Sequence, residues 1–226
     1  MLNWIKNAFN KLIRRKFDRI PHFDTRSLDY PIGISTPTNK PRISKIWDCY
    51  AYLNQGTEGS CTGHAVAHEL ASKPISIPNM THEIAVQIYK RAQKLDPWAG
   101  ENYEGSTVLA AVKAAKERGW YDEYRWAFGE EDLAMTVCYI SPVVLGINWY
   151  YGMSNPKNGV IKPTGTQVGG HAICCIGYDA DRDMYILRNS WGKRWGDGGN
   201  CYIHKDDMKM LLKQGGEACV PIRRKY

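Results

Sequence analysis

The segment Asn54-Gln55-Gly56-Thr57-Glu58-Gly59-Ser60-Cys61-Thr62-Gly63-His64-Ala65 decides how the rest of the chain is read. Residues 56–60 form a glycine-rich loop, and the residues that follow predict a helix over 61–72 with the cysteine in its first turn. A thiol at the positive end of a helix dipole is expected to have a lowered pKa and to favour the nucleophilic thiolate. A lone cysteine, however, is most often a small core residue. Its companions therefore decide the matter.

Two downstream blocks supply them. Gly169-Gly170-His171-Ala172-Ile173 places a histidine at the start of an apolar strand, and Arg188-Asn189-Ser190-Trp191-Gly192-Lys193-Arg194-Trp195-Gly196 follows. A thiolate needs an imidazole to hold its proton and later deliver it to a leaving amine, and the imidazole needs an acceptor on its other nitrogen. An asparagine carbonyl can be that acceptor. With Gln55, Cys61, His171 and Asn189 in this order, Gln-Gly six residues before the cysteine and an Asn-Ser-Trp-Gly block, residues 41–226 resemble the papain family of cysteine peptidases, in the compact form of its bacterial and phage members.

The resemblance implies a two-lobed α+β fold, a helical lobe carrying Cys61 and an antiparallel β lobe carrying His171 and Asn189, with the cleft between them. It implies a Cys61 nucleophile, a His171 base oriented by Asn189, and an oxyanion hole made by Gln55 and the Cys61 N–H. It also implies that Trp191 shields the His–Asn hydrogen bond, that Trp195 borders the leaving-group side, and that Gly169 and Gly170 border the cleft with Gly105 on the opposite wall. Substrates are then peptides or proteins, and no metal or cofactor is required. Two departures stand out. Glu58 replaces the first cysteine of the family signature, so its bridge is absent, and Thr62 replaces an aromatic residue. The spans from Cys61 to His171 (110 residues) and to Asn189 (128) fall just under the usual separation of roughly 130–150, which points to trimmed lobes.

The other elements agree with α+β. Helical signals at 81–94 and 106–118 precede β-branched and aromatic runs at Pro142–Trp149, His171–Tyr178, Met184–Asn189 and Asn200–His204, the second and third joined by a turn at 179–182. Seven irregularly spaced cysteines suggest free thiols in a reducing compartment, and Cys174 and Cys175 read as core filling. His64 and His68 stand four apart but lack the glutamate and third ligand of a zinc site, so packing is their expected role.

Residues 1–40 form a separate unit. Leu2, Ile5, Phe9, Leu12, Phe17 and Ile20 recur at helical spacing with a basic opposite face, predicting an amphipathic helix over 2–20, and the prolines of 21–46 predict an extended connector. Of the formal charge of +7, all lies in residues 1–45, with ten Lys/Arg against three Asp; the body is balanced at twenty against twenty, and specific nucleic-acid binding is not expected. Neither a secretory signal nor a membrane span is expected, and the location is cytoplasmic or virion-associated. The arm is shorter than the long inhibitory segment of secreted relatives, so self-inhibition of that kind is not expected. Residues 1–20 read instead as a short inhibitory segment, as a segment docking on a protein assembly or a membrane surface, or as a helix packed back on its own domain. The competing functions are a catalytically silent papain-fold protein docking through this arm, and a Cys-dependent acyltransferase.

Overall fold

The computed structural model describes residues 16–33 and 40–223. In chain order the elements are β1 (Lys45–Ile46), α1 (Cys61–Leu70), α2 (His82–Gln93), α3 (Val108–Glu117), β2 (Tyr121–Trp126), α4 (Glu130–Tyr139), β3 (Val143–Tyr150), β4 (Gln167–Asp179), β5 (Met184–Arg188), β6 (Asn200–His204), α5 (Lys205–Lys213) and β7 (Glu217–Arg223). Short 3₁₀ turns occupy Thr25–Asp29 and Tyr151–Met153. The hydroxyls of Thr81 and Thr107 accept the N–H groups of Ile84 and Ala110, so each helix that follows is capped by a threonine. Because Thr107 is the cap, α3 begins at Val108, two residues inside the stretch expected from the sequence.

The strands form one antiparallel sheet in the order β2-β7-β3-β4-β5-β6, with β1 also paired to β4. Its two faces carry two cores. Ala172, Cys174 and Ile176 of β4 join the core of α1, α2 and α3, whereas Ile173 and Cys175 pack with residues of α4 and α5 such as Leu133 and Leu211. This alternation is the two-residue period of a strand buried on both sides. The register slips between Cys175 and Gly177, which turns Tyr178 to the second face. Cys174 and Cys175 are core filling, and every one of the seven cysteines is a buried free thiol.

Two devices hold α1 where the site needs it. A Cβ at Gly63 would run into the Ala85 carbonyl oxygen and lie 2.8 Å from the Tyr89 nitrogen, so α1 and α2 meet backbone to backbone at this glycine. At the other end, buried Glu69 pairs with Arg223 of β7 and accepts the Tyr121 hydroxyl at 2.5 Å. The Arg223 guanidinium also donates to the carbonyls of Ser72 (2.7 Å) and Ile75 (2.6 Å), leaving the carboxylate and its cation well supplied with partners.

The arm departs from its expected form. Residues 1–15 of the predicted helix lie outside the described residues, and residues 16–20 are extended rather than helical. The N–H groups of Arg19 and Ile20 donate to Gly170 and Ser106 carbonyls, both at 3.0 Å, and Ser106 N–H donates back to the Asp18 carbonyl at 3.2 Å. Backbone groups bonded to a neighbouring chain segment on both sides cannot also close helical turns. Further on, Ile32 and Trp126 exchange backbone bonds with their neighbours Trp126 and Tyr30, which ties residues 30–32 to β2. Among the described residues no helix is long and apolar enough to cross a membrane.

Candidate active site

Cys61 is the first residue of α1, at the end where helix N–H groups lack intrahelical partners. His171 and Ala172 lie on β4, beneath α1, and the backbone of Ala172 interacts with the Cys61 thiol. Asn189 follows directly after β5. Its Oδ1 lies 2.9 Å from His171 Nε2 and also accepts the Ser190 N–H at 2.8 Å. The second donor fixes which way the amide points, so the oxygen faces the imidazole and Nε2 is the nitrogen that donates. Proton exchange with a thiol then falls to Nδ1.

Gln55 is stitched to the same block. Its N–H donates to the Ser190 carbonyl (2.9 Å), its side-chain Oε1 accepts the Ser190 hydroxyl (2.6 Å), and Gly192 N–H donates to the Leu53 carbonyl (3.0 Å). The side-chain oxygen being occupied, Nε2 turns inward, towards the carbonyls of Glu58 (2.9 Å) and Lys16 (3.5 Å). The structure thus brings all four expected residues to one place, at the junction of the helical and sheet lobes, although they span 135 positions of sequence.

Trp191 packs against the imidazole with ring centroids 5.1 Å apart. Trp149, which the sequence reading placed only at the end of a strand, packs edge-on to His171 at 4.8 Å and to Trp191 at 5.2 Å. Together they pack around the imidazole of the His171–Asn189 pair, both of whose side chains are buried. Trp195 sits against Trp191 at 4.9 Å and donates its indole N–H to the Ser154 carbonyl, so its contact is with the shielding ring. His64 and His68 hold structural positions: His68 Nε2 accepts the Leu53 N–H (3.2 Å), and His64 Nε2 lies 3.0 Å from His82 Nδ1.

The arm fills the cleft. Phe17 stacks among Trp149, Trp191 and His171, with centroids 5.8–6.3 Å away. Asp18 lies over Gly59 and Gly105, where a Cβ on Gly59 would come within 2.5 Å of its carboxylate. Gly105, at φ +97°, would collide with the Asp18 carbonyl if it carried a side chain, and Gly169 would bring a Cβ to 2.6 Å from that of Phe17. The expected cleft glycines Gly105, Gly169 and Gly170 are therefore the ones that let this segment in.

Burial beneath it reverses the expected electrostatics of Cys61. The thiol is completely buried and its pKa is pushed up to about 11 by that burial, with the backbone of Ala172 and Asp18 pulling the other way. The helix N-terminus alone does not overcome desolvation here. His171, Asn189 and Gln55 are equally shut off from solvent. Of the roles open to the arm, residues 16–20 take the form of a segment lying over the nucleophile of their own domain, as extended chain rather than as a helix.

Comparison with known proteins now has a geometry to attach to. A family model described as papain family cysteine protease matches residues 42–218. The chain belongs to the papain family of cysteine proteases. Among curated relatives, an uncharacterised peptidase C1-like protein of Acanthamoeba polyphaga mimivirus is 24% identical over 201 residues, covering 69% of this chain and 64% of that protein. Cathepsin B-like protease 1 of Arabidopsis thaliana is 32% identical over 102 residues, 43% of this chain and 27% of its own length. The chain thus spans less than two thirds of either relative. Xylellain, a cysteine protease from Xylella fastidiosa, superposes with a TM-score of 0.74 over 94% of this chain and 97% of that one at 19% identity, a likeness of fold. Papain-family membership accounts for the two lobes and for the side chains gathered between them.

Proposed function

We propose that this chain hydrolyses peptide bonds with Cys61 as nucleophile, and that residues 16–20 hold it closed until they are displaced. The observation that carries the reading is the His171–Asn189 bond of 2.9 Å, walled by Trp149 and Trp191 and set on the strand against which Cys61 sits. In the open enzyme, Cys61 and His171 exist as thiolate and imidazolium. The sulfur attacks the substrate carbonyl carbon, and the resulting oxyanion is held by the Cys61 N–H and Gln55 Nε2. Collapse breaks the C–N bond as His171 delivers its proton to the departing amine, leaving a thioester. Water, giving a proton to His171, then attacks the thioester and releases the acid and the thiolate. The docked Lys16 carbonyl lies 3.5 Å from Gln55 Nε2, on the donor assigned to the oxyanion.

Peptide release from an unfolded protein substrate tests the reading, using the Arg19→Ala chain to loosen the arm. The expected result is steady hydrolysis that Cys61→Ala abolishes, with a bell-shaped pH profile because thiolate and imidazolium must coexist. Hydrolysis that persists unchanged in Cys61→Ala would overturn it.

A further inference from the structure

A second cleft lies apart from Cys61, and the arm forms one of its walls. Its volume is about 390 Å³, within the range of small-molecule sites. Residues 24–30 line it on one side, and α3 and β2 line it on the others. Its apolar lining includes buried Leu109 and Trp126, with the rings of Tyr30 and Tyr124 in the same walls.

The charges around this cleft are not balanced. Lys113 and Lys116 of α3 both line it and stand three residues apart, on one face of the helix. The carboxylates around them are already taken: Asp24 by Arg26, which donates to both of its oxygens, Glu123 by Arg125, and Glu117 by Arg91. Lys113 acts on Asp24 through charge alone, and Lys116 rests over the Tyr124 ring, 5.9 Å from its centroid. Neither ammonium therefore has an ion-pair partner among the described residues. The wall also holds an unfilled hydrogen bond. Trp126 is buried, and its indole N–H finds no acceptor among the described residues, a state that costs stability until an acceptor arrives.

We propose that this cleft binds a small aromatic dianion, a phosphate monoester on a flat ring, and that the bound molecule clamps the arm closed. A phosphate monoester carries roughly −1.5 to −2 charge at neutral pH and several acceptor oxygens, which matches two unpaired ammonium groups, whereas a single carboxylate supplies half of that. The ring finds Tyr30, Tyr124 and Trp126 as contacts. The clamp follows from where the walls belong. Arg26 and Tyr30 are part of the arm and the two lysines part of the body, so the cleft is whole only while residues 24–30 are docked. A ligand that needs both walls favours the docked form by mass action. Ile20 is four positions from Asp24, so the segment over Cys61 is held with them.

Only the clamp rests on the proposed reading of residues 16–20 as a latch, so binding and clamping are measured separately. An NMR titration of the intact parent chain compares phenyl phosphate with phenol, which lacks the charge, and with inorganic phosphate, which lacks the ring. Phenyl phosphate should bind about tenfold to a hundredfold tighter than either. Lys113→Gln/Lys116→Gln should bring it down to the level of phenol, while Lys113→Arg/Lys116→Arg should keep the preference; melting curves confirm that both chains fold. Equal affinities, no saturable binding of phenyl phosphate, or a preference that survives the double glutamine variant overturns the site. In the Arg19→Ala chain, which has lost the buried pair with Glu217, phenyl phosphate at about ten times its dissociation constant should slow iodoacetamide labelling of Cys61 about tenfold. An unchanged labelling rate with the ligand bound overturns the clamp. Neither readout needs turnover, so a chain that binds and clamps but cleaves no peptide would defeat the peptidase reading alone.

Discussion

Arg19→Ala should unmask Cys61, and the size of the effect can be worked out. Removing one partner of a buried ion pair and leaving the other uncompensated costs about 3–5 kcal/mol, here borne by the docked state because Glu217 belongs to the body and Arg19 to the arm. That lowers occupancy of the docked state by roughly two to three and a half powers of ten. The thiol gains accordingly. With its pKa at about 11 only about one molecule in ten thousand is thiolate at pH 7, whereas an ordinary cysteine near 8.5 is about 3% thiolate. A less basic thiolate is intrinsically a poorer nucleophile, by about tenfold over this interval. The net gain from ionisation is therefore roughly twenty- to thirtyfold, before any gain in access. Iodoacetamide labelling at pH 7 with peptide mapping reads it at Cys61, while the other six buried cysteines report whether the chain has simply unfolded. An unchanged Cys61 rate, or a rise shared by all seven thiols, would refute the view of the arm as a latch.

Other consequences can be checked separately. Gln55→Ala should lower kcat by about 10²–10³ through loss of one oxyanion donor, measured on the opened enzyme. Arg223→Ala should destabilise the fold by about 3–5 kcal/mol, because Glu69 would remain buried beneath α1 with only Tyr121 as side-chain partner; denaturant unfolding measures it. Burial raises the pKa of all seven thiols, to about 11 for Cys61 and about 12 for Cys175. The folded protein thus holds protons that the unfolded chain releases above about pH 8.5. Stability should be intact below that pH and fall above it, by up to about 1.4 kcal/mol per pH unit for each thiol, and a melting temperature flat from pH 7 to 10 would contradict this.

The parts of the fold that could be read from the sequence are those where local pattern and tertiary environment agree. The β5 and β6 runs pair β-branched and aromatic residues with sharp turns on either side, and their bounds in the structure, Met184–Arg188 and Asn200–His204, fall within a residue of the expected ones. The α2 helix is similarly marked, by a threonine cap and an apolar face. Where the two disagree, tertiary pairing decides. Phe17 and Ile20 sit at helical spacing, yet the carbonyls of Gly170 and Ser106 offer the backbone partners that no short isolated helix could match. Strand β7 begins with a charge and contains Pro221, so neither period nor propensity marks it, and it is defined by its neighbours β2 and β3.

The same distinction runs through the site. Gln55, Cys61, His171 and Asn189 are recognisable because each sits in a short motif whose neighbours are part of its chemistry: the glycine loop, the strand start, the Asn-Ser-Trp turn. Glu217 has no such motif. A carboxylate at the head of the apolar run Ala218-Cys219-Val220 is visible in the sequence as an oddity, but its meaning depends on Gly146 and Ala172, two strands brought beside it by register, and on Arg19, 198 positions away. Arg19 in turn looks like one more charge on a basic arm. The pair is nonetheless not required for latching as such, because desolvation offsets much of what a buried ion pair gains and an apolar contact at the same place would latch at least as well. The Arg19→Leu/Glu217→Leu chain, apolar on both sides of the contact, should therefore keep Cys61 as protected from iodoacetamide as it is in the parent. A double variant that unlatches would show instead that the ion pair serves the plug itself.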